Sequence, residues 1–256
     1  MKRCRWLNKI RITILFSCAL LCSCQDNPQS KLTIATAANM QFAMKELTAS
    51  FIQETGVECE TVNSSSGKLT AQIKEGAPFD ILVSADMKYP SELFESGFAI
   101  STPKVYAHGR LVLWSMTGQK PSLESLTDED VSHIALANPK IAPYGSAALE
   151  VLEHYGILTK VESKVVYGES IAQTNQFVIS KAAEMGFTAK SAVLSPEMEG
   201  QGQWIEIDTS IYTPLAQGVV ILKNRSSHLD QAQKFYDFLF SQKGKEILDK
   251  FGYSVF

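Results

Sequence analysis

From residue 32 onward the chain alternates short strand-like runs with helix-like ones, and few folds satisfy that rhythm. Leu32-Thr33-Ile34-Ala35-Thr36-Ala37 reads as a strand. Residues 40–54 then place apolar side chains at 40, 43, 44, 47 and 51, one helical stripe, and Gly56 stops it. Residues 57–63 read as the next strand, 67–75 as a short helix ended by Gly76, 79–84 as a buried strand and 91–96 as a helix ended by Gly97. Further strands are expected at 111–114, 134–137, 165–167, 186–189 and 218–222. Further helices fit 146–155, 171–184 and 228–250, the last broken near Gly244. This order implies an α/β architecture with mainly parallel sheets. With 256 residues there is room for one large domain or two small ones.

The first 23 residues do not belong to that pattern. They carry five cations (Lys2, Arg3, Arg5, Lys9, Arg11) and no acid, and residues 12–22 are apolar. Such a run is too short to span a bilayer and has the order of a secretory signal, here 1–23. Leu21-Cys22-Ser23-Cys24 resembles the bacterial lipobox. That resemblance implies cleavage before Cys24, acylation of Cys24, and a lipoprotein held at a membrane face on the periplasmic or extracytoplasmic side. Residues 24–31 are polar, contain a proline and read as a tether. Of the cysteines at 4, 18, 22, 24 and 59, only Cys59 is left in the body, so no intramolecular disulfide is expected there and Cys59 reads as a buried strand position.

Composition removes several function classes. Beyond residue 23 the chain keeps 19 of its 24 cations and all 27 of its acids. A body that acidic does not attract nucleic acid. The histidines at 108, 133, 154 and 228 have no metal-ligand spacing, so no metal site is expected. Ser66-Gly67-Lys68 suggests a phosphate loop, but Val62 and Leu69 stand where that motif needs Gly and Ser or Thr. No nucleophile with a base appears at any helix start, and no GxSxG, HExxH or GxGxxG is present. Asp80 and Asp86 flank a strand and read as caps or edge residues. The chain is therefore not expected to be an enzyme or to hold a cofactor. The aromatic segment 235–240 reads as core.

What remains is a repeated local form: a strand end, a short polar or small-residue turn, then a helix start. It occurs at Ala37-Ala38-Asn39-Met40, Asn63-Ser64-Ser65-Ser66-Gly67, Pro143-Tyr144-Gly145-Ser146 and Gly168-Glu169-Ser170-Ile171. Helix starts present unpaired N–H groups and the positive end of the dipole, and ligands of open α/β sheets sit at strand carboxyl ends. Four helix starts at one point make an anion site. Asn39, Ser66 and Tyr144 add neutral donors, and Lys68 and Lys140 only flank the turns. Taken singly, each turn reads as an ordinary N-cap before it reads as a ligand site.

At these residues the chain resembles the periplasmic molybdate-binding proteins of ABC importers, over about 32–256. The resemblance is carried by Ala37-Ala38-Asn39-Met40, by Ser64-Ser65-Ser66 with Leu69-Thr70-Ala71-Gln72-Ile73, by Asn138-Pro139 with Pro143-Tyr144-Gly145, and most specifically by Gly76-Ala77-Pro78-Phe79-Asp80 through Ser84-Ala85-Asp86. It implies the two-lobed periplasmic-binding-protein fold with a hinged cleft. Lobe one would take 32–109 and 213–256, and lobe two 110–212. It implies an oxyanion held by Asn39, Ser66, Tyr144 and the backbone of Ile171, with the backbone of Ala38 contributing. Many members place a Tyr ligand where this chain has Ala189, and Tyr144 is read as delivering that phenol from elsewhere. The implied ligand is molybdate or tungstate, and the implied partners are the permease subunits of an ABC transporter, with the binding protein a monomer. Both anions are proton-free near pH 7 and accept hydrogen bonds only, whereas phosphate keeps a proton that a pure donor pocket leaves unpaired. Sulfate, the alternative ligand, differs only in size. Glu169 is the one obvious acceptor in the four turns.

Overall fold

The run Leu32–Ala37 is buried along almost its whole length, as a strand covered on both faces must be. In the computed structural model, which describes residues 31–223 and 228–255, it forms β1. Strand β1 pairs in parallel with β2 (Cys59–Ser64) and β3 (Ile81–Val83). Strand β10 (Ala216–Ile221) adds antiparallel to β3, and β4 (Lys104–His108) antiparallel to β10. The second sheet has the order β7-β6-β8-β5-β9. Its strands are β5 (Leu111–Ser115), β6 (Ile134–Ala137), β7 (Val165–Gly168), β8 (Met185–Ala189) and β9 (Gln203–Glu206). Strand β6 is parallel to β7 and β8, and β5 is antiparallel to β8 and β9.

Each sheet is therefore mixed, with two parallel and two antiparallel pairings, where mainly parallel sheets were expected. The parallel pairs join the strand–helix–strand units that the alternation predicts. The antiparallel pairs come from β4, β5, β9 and β10, which flank the two places where the chain passes between sheets. Strands β4 and β9 were not expected at all. Both are sheet edges with polar ends, so neither carries a clean apolar signal.

A 3-10 turn (Ala38–Met40) leads into α1 (Gln41–Thr55), which buries Ala43, Met44, Leu47 and Phe51. Gly56 ends it at φ 69°, its N–H on Ile52 O at 2.8 Å. The remaining helices are α2 (Ser66–Lys74), α3 (Lys88–Glu95), α4 (Pro143–His154), α5 (Leu158–Val161), α6 (Ile171–Ile179), α7 (Lys190–Val193), α8 (Leu229–Phe240) and α9 (Gln242–Lys250). Helix α4 begins earlier than expected because Pro143 suits the first helical position. Helix α6 stops at 179, before Lys181 turns to φ 59°. The last helical stretch breaks at Ser241, not Gly244, and the Ser241 Oγ caps α9 by accepting the Gly244 N–H at 3.1 Å.

Side-chain alternation gives each sheet an apolar cluster on both faces. Ile34, Ile81 and Val83 pack under α1 and α8, while Ala35 and Leu82 face Leu69 and Leu93. Leu111 and Leu113 face α4, and Val112 and Trp114 face Val178. Phe235 and Phe238 pack on Phe51 with ring centroids 5.2 and 5.6 Å away, so the aromatic segment is core. Residues from Lys31 onward form one compact unit. The signal segment, the tether up to residue 30 and Cys24 lie outside the described residues. Cys59 is half-buried, and burial pushes its thiol up to about 12, which makes it inert as a nucleophile. Among the described residues no helix is long and apolar enough to cross a membrane.

Candidate functional site

The four strand–turn–helix segments end at one place. A cavity of about 10 Å³ is walled by Ala37, Ala38 and Asn39 after β1, Ser65 and Ser66 after β2, Ala85 after β3, Ala142–Tyr144 before and at the start of α4, and Ile171 at the start of α6. All of these except Pro143 are buried. That is about the room of a single water, so the walls are drawn nearly shut on one another. No charged side chain lines it. Ala38, Asn39, Ser66, Tyr144 and Ile171, which the sequence singles out, are all in this wall. Ser65 and Ala85 are in it too and were not singled out.

The helix starts here carry no side-chain caps. The residues at the N-cap positions, Ala37, Ser65, Ala142 and Ser170, make no side-chain cap hydrogen bond. Two of them are serines, a residue type that normally caps. Ser65 Oγ is buried and has no hydrogen-bond partner. First-turn N–H groups have no intrahelical acceptor, so leaving them uncapped keeps donors and dipole ends available to a ligand.

Each polar side chain has a defined state. Ser66 Oγ accepts the Ala85 N–H at 3.0 Å, which leaves its own hydrogen to donate elsewhere. Asn39 corrects the expectation of a side-chain donor. Its Nδ2 donates to Gln217 Oε1 at 2.8 Å and to Tyr253 Oη at 2.9 Å, so both amide hydrogens are taken and its Oδ1 is the unpartnered atom. What Asn39 can offer an anion in this arrangement is its first-turn N–H. Tyr144 Oη makes no hydrogen bond of normal geometry. Burial, and then the phenols of Tyr253, Tyr106 and Tyr212, push its ionisation far above the ordinary range, with the nearby Asn39 amide opposing. The phenol therefore stays a neutral donor. It reaches its position because residue 109 is glycine: a Cβ there would lie 2.1 Å from Tyr144 Oη. Ala189, where a family Tyr is absent, belongs to the same buried cluster as Tyr144.

Contacts across the cavity close it. Gly67 donates its N–H to Ile141 O at 3.0 Å, and Ser191 Oγ donates to Asn39 O at 2.7 Å. On the rim Lys68 Nζ meets Glu169 Oε2 at 2.8 Å. The hydrogen bond from Lys68, and then its charge, lower the Glu169 pKa. Glu169 is thus paired with Lys68 on the exposed rim and does not line the cavity as an acceptor. A larger groove of about 490 Å³, with Phe42, Trp114, Gln173 and Met198 among its walls, is open to solvent. Among the described residues no cluster of three or more His, Cys, Asp or Glu is placed to hold a metal ion.

Residues 32–254 match the family model described as bacterial extracellular solute-binding protein. The chain is 37% identical over 222 residues to the molybdate-binding protein ModA of Rhodobacter capsulatus, covering 86% of each. It is 34% identical to ModA of Azotobacter vinelandii, covering 96% of this chain and 97% of that one. The solved structure of the Azotobacter vinelandii periplasmic molybdate-binding protein superposes with a TM-score of 0.82 at 33% identity, over 88% of this chain and 99% of that chain.

Proposed function

The chain belongs to the family of bacterial extracellular solute-binding proteins, and from that premise we propose that it binds molybdate, or the nearly isosteric tungstate, and delivers it to an ABC importer. The relatives at 34 and 37% identity bear the name molybdate-binding protein, which supports this ligand over sulfate. The observation that carries the reading is the convergence of uncapped helix starts on one small buried cavity without a charged side chain.

Helix N-termini supply the positive field that a lysine or arginine would otherwise bring. The N–H groups of Ala38, Asn39 and Ile171, the Ser66 hydroxyl and the Tyr144 phenol are the donors. Each charge-assisted hydrogen bond contributes about 1.5–3 kcal/mol. Hydrogen phosphate would need an acceptor for its proton. No carboxylate lines the cavity, and the unpartnered side-chain oxygens in its wall, Asn39 Oδ1, Ser65 Oγ and Tyr144 Oη, are neutral and accept more weakly than a carboxylate.

The body works as two lobes, 32–109 with 213–256 and 110–212, joined where β4 passes to β5 and where β9 passes to β10. The anion is enclosed when they meet, and the closed form is what a permease reads. The protein is a carrier, not a catalyst, and acts as a monomer. The signal 1–23 exports the chain and is removed, and acylation at Cys24 with the tether 24–31 then holds it outside the cytoplasm as a membrane-anchored lipoprotein. Calorimetry on residues 25–256 tests the ligand. Molybdate should bind tightly and outcompete sulfate, with phosphate silent. A protein silent to molybdate would refute the reading.

A further inference from the structure

Behind the cavity lies a buried polar network, and its hub is a residue that does not line the cavity. Gln217 is fully buried on β10, beside the register break at Gln217/Gly218 where β10 pairs with β4. Its Nε2 donates to two main-chain carbonyls, Ala85 O and Leu215 O, each at 3.3 Å. Carbonyls only accept, so these two fix which end of the amide faces them. Oε1 must then face the other way, where it accepts from Asn39 Nδ2 at 2.8 Å and Tyr106 Oη at 3.4 Å. An oxygen there obliges Asn39 to present its nitrogen. The orientation of the Asn39 amide is thus dictated by Gln217.

The same side chain touches the hinge. Leu215 O, which accepts from Gln217, also accepts the Gly109 N–H at 2.9 Å, and residues 109 and 215 lie in the two passages between the sheets. A Cβ on Gly109 would lie 2.1 Å from Tyr144 Oη and 2.6 Å from Gln217 Nε2, so the phenol from the opposite wall arrives beside this amide. Two cavity turns, both passages and the closing phenol meet at one buried group.

We infer that Gln217 is the positioning residue of the anion site, which sets the Asn39 amide and the Ala85 turn and ties their placement to the hinge. The inference rests on the oxyanion reading above and deepens it. Gln217 acts through Asn39. Five hydrogen bonds, from Gln217 to Ala85 O and Leu215 O, from Asn39 and Tyr106 to Gln217, and from Asn39 to Tyr253, hold these groups in one arrangement, and that preorganises the first-turn donors beside them.

A double-mutant cycle on the purified protein, titrated with sodium molybdate, tests this. Gln217→Leu should weaken molybdate about tenfold or more in the wild-type background, and less than about twofold when Asn39 is already Ala. Equal losses in both backgrounds, or no loss in either, would overturn it. If the leucine variant does not fold, Gln217→Glu replaces it. That carboxyl keeps an acceptor toward Asn39 and, when protonated, a donor toward one carbonyl. Molybdate affinity of this variant should rise as pH falls from about 8 to 6, while wild type stays level. A flat profile would overturn the inference. A wild type silent to molybdate removes the oxyanion reading and this inference together. A wild type that binds, with an additive cycle, removes the inference alone.

Discussion

The two halves of the cavity wall are built differently. On the first sheet's side Ser66 and the Asn39 amide nitrogen and carbonyl are held from behind, while Ser65 Oγ and Asn39 Oδ1 are not. Ser66 Oγ is fixed by the Ala85 N–H, Asn39 Nδ2 by Gln217 and Tyr253, and the Asn39 carbonyl by Tyr253. On the second sheet's side the wall is main chain at Ala142, Pro143 and Ile171, plus a phenol with no normal hydrogen bond. One half is a finished bowl and the other a lid whose one polar side chain waits for a partner. On the proposed reading this difference sets an order of events: the anion would meet the first sheet's half first, and closure would complete its shell.

The largest effect should come from blocking closure. A Cβ on Gly67 would lie 2.6 Å from Tyr89 Oη and 3.0 Å from Ile141 Cα and O, so Gly67→Ala props the halves apart. Losing the lid's donors should weaken molybdate by about 100-fold or more in a calorimetric titration. Unchanged affinity would mean the lid is not part of the site. Next comes the bowl: Ser66→Ala removes one oriented donor and should cost about 10–100-fold.

Tyr144→Phe separates the two halves most sharply. It removes a buried hydroxyl that lacks a partner, so the unliganded Tm should rise by about 2–4 °C while molybdate affinity falls about tenfold. If both fall, the phenol is structural and the lid is main chain only.

The rim pair should matter least. Both partners of Lys68–Glu169 are largely exposed, so Glu169→Gln should change affinity no more than about threefold, and less in high salt. Because Lys68 holds the Glu169 pKa down, this latch is intact at neutral pH and is lost only as pH falls through that lowered value. The buried phenols of Tyr106, Tyr144 and Tyr253 have raised pKa values, so they remain donors at neutral pH. Molybdate affinity should therefore be level from about pH 6 to 9. Stability should fall above about pH 10, where the unfolded chain's phenols ionise and the buried ones resist.

How much of this was legible in sequence depends on the range of the interaction. The turns at 39, 66, 144 and 171 carry a local signature, strand end then helix start, and each signature reached the cavity wall. Ala85 did not announce itself, although it sits in the most specific run of the resemblance. It works through a main-chain N–H, and an alanine side chain signals nothing. The Asn39 side chain was read as a donor because residue type alone cannot reveal that Gln217, 178 positions away, takes its hydrogen. The edge strands β4 and β9 were missed for a similar reason. What makes them strands is pairing with β10 and β5, not their own pattern.

Anomalous diffraction from crystals grown with molybdate, measured at the molybdenum edge, tests the central claim most directly. The account places a single strong peak inside the wall formed by Ala38, Asn39, Ser66, Ala85, Tyr144 and Ile171, with main-chain nitrogens and two hydroxyls at hydrogen-bond distance from its oxygens. A peak in the open groove beside Phe42, Trp114 and Gln173, or bound through Lys68 at the rim, would contradict it.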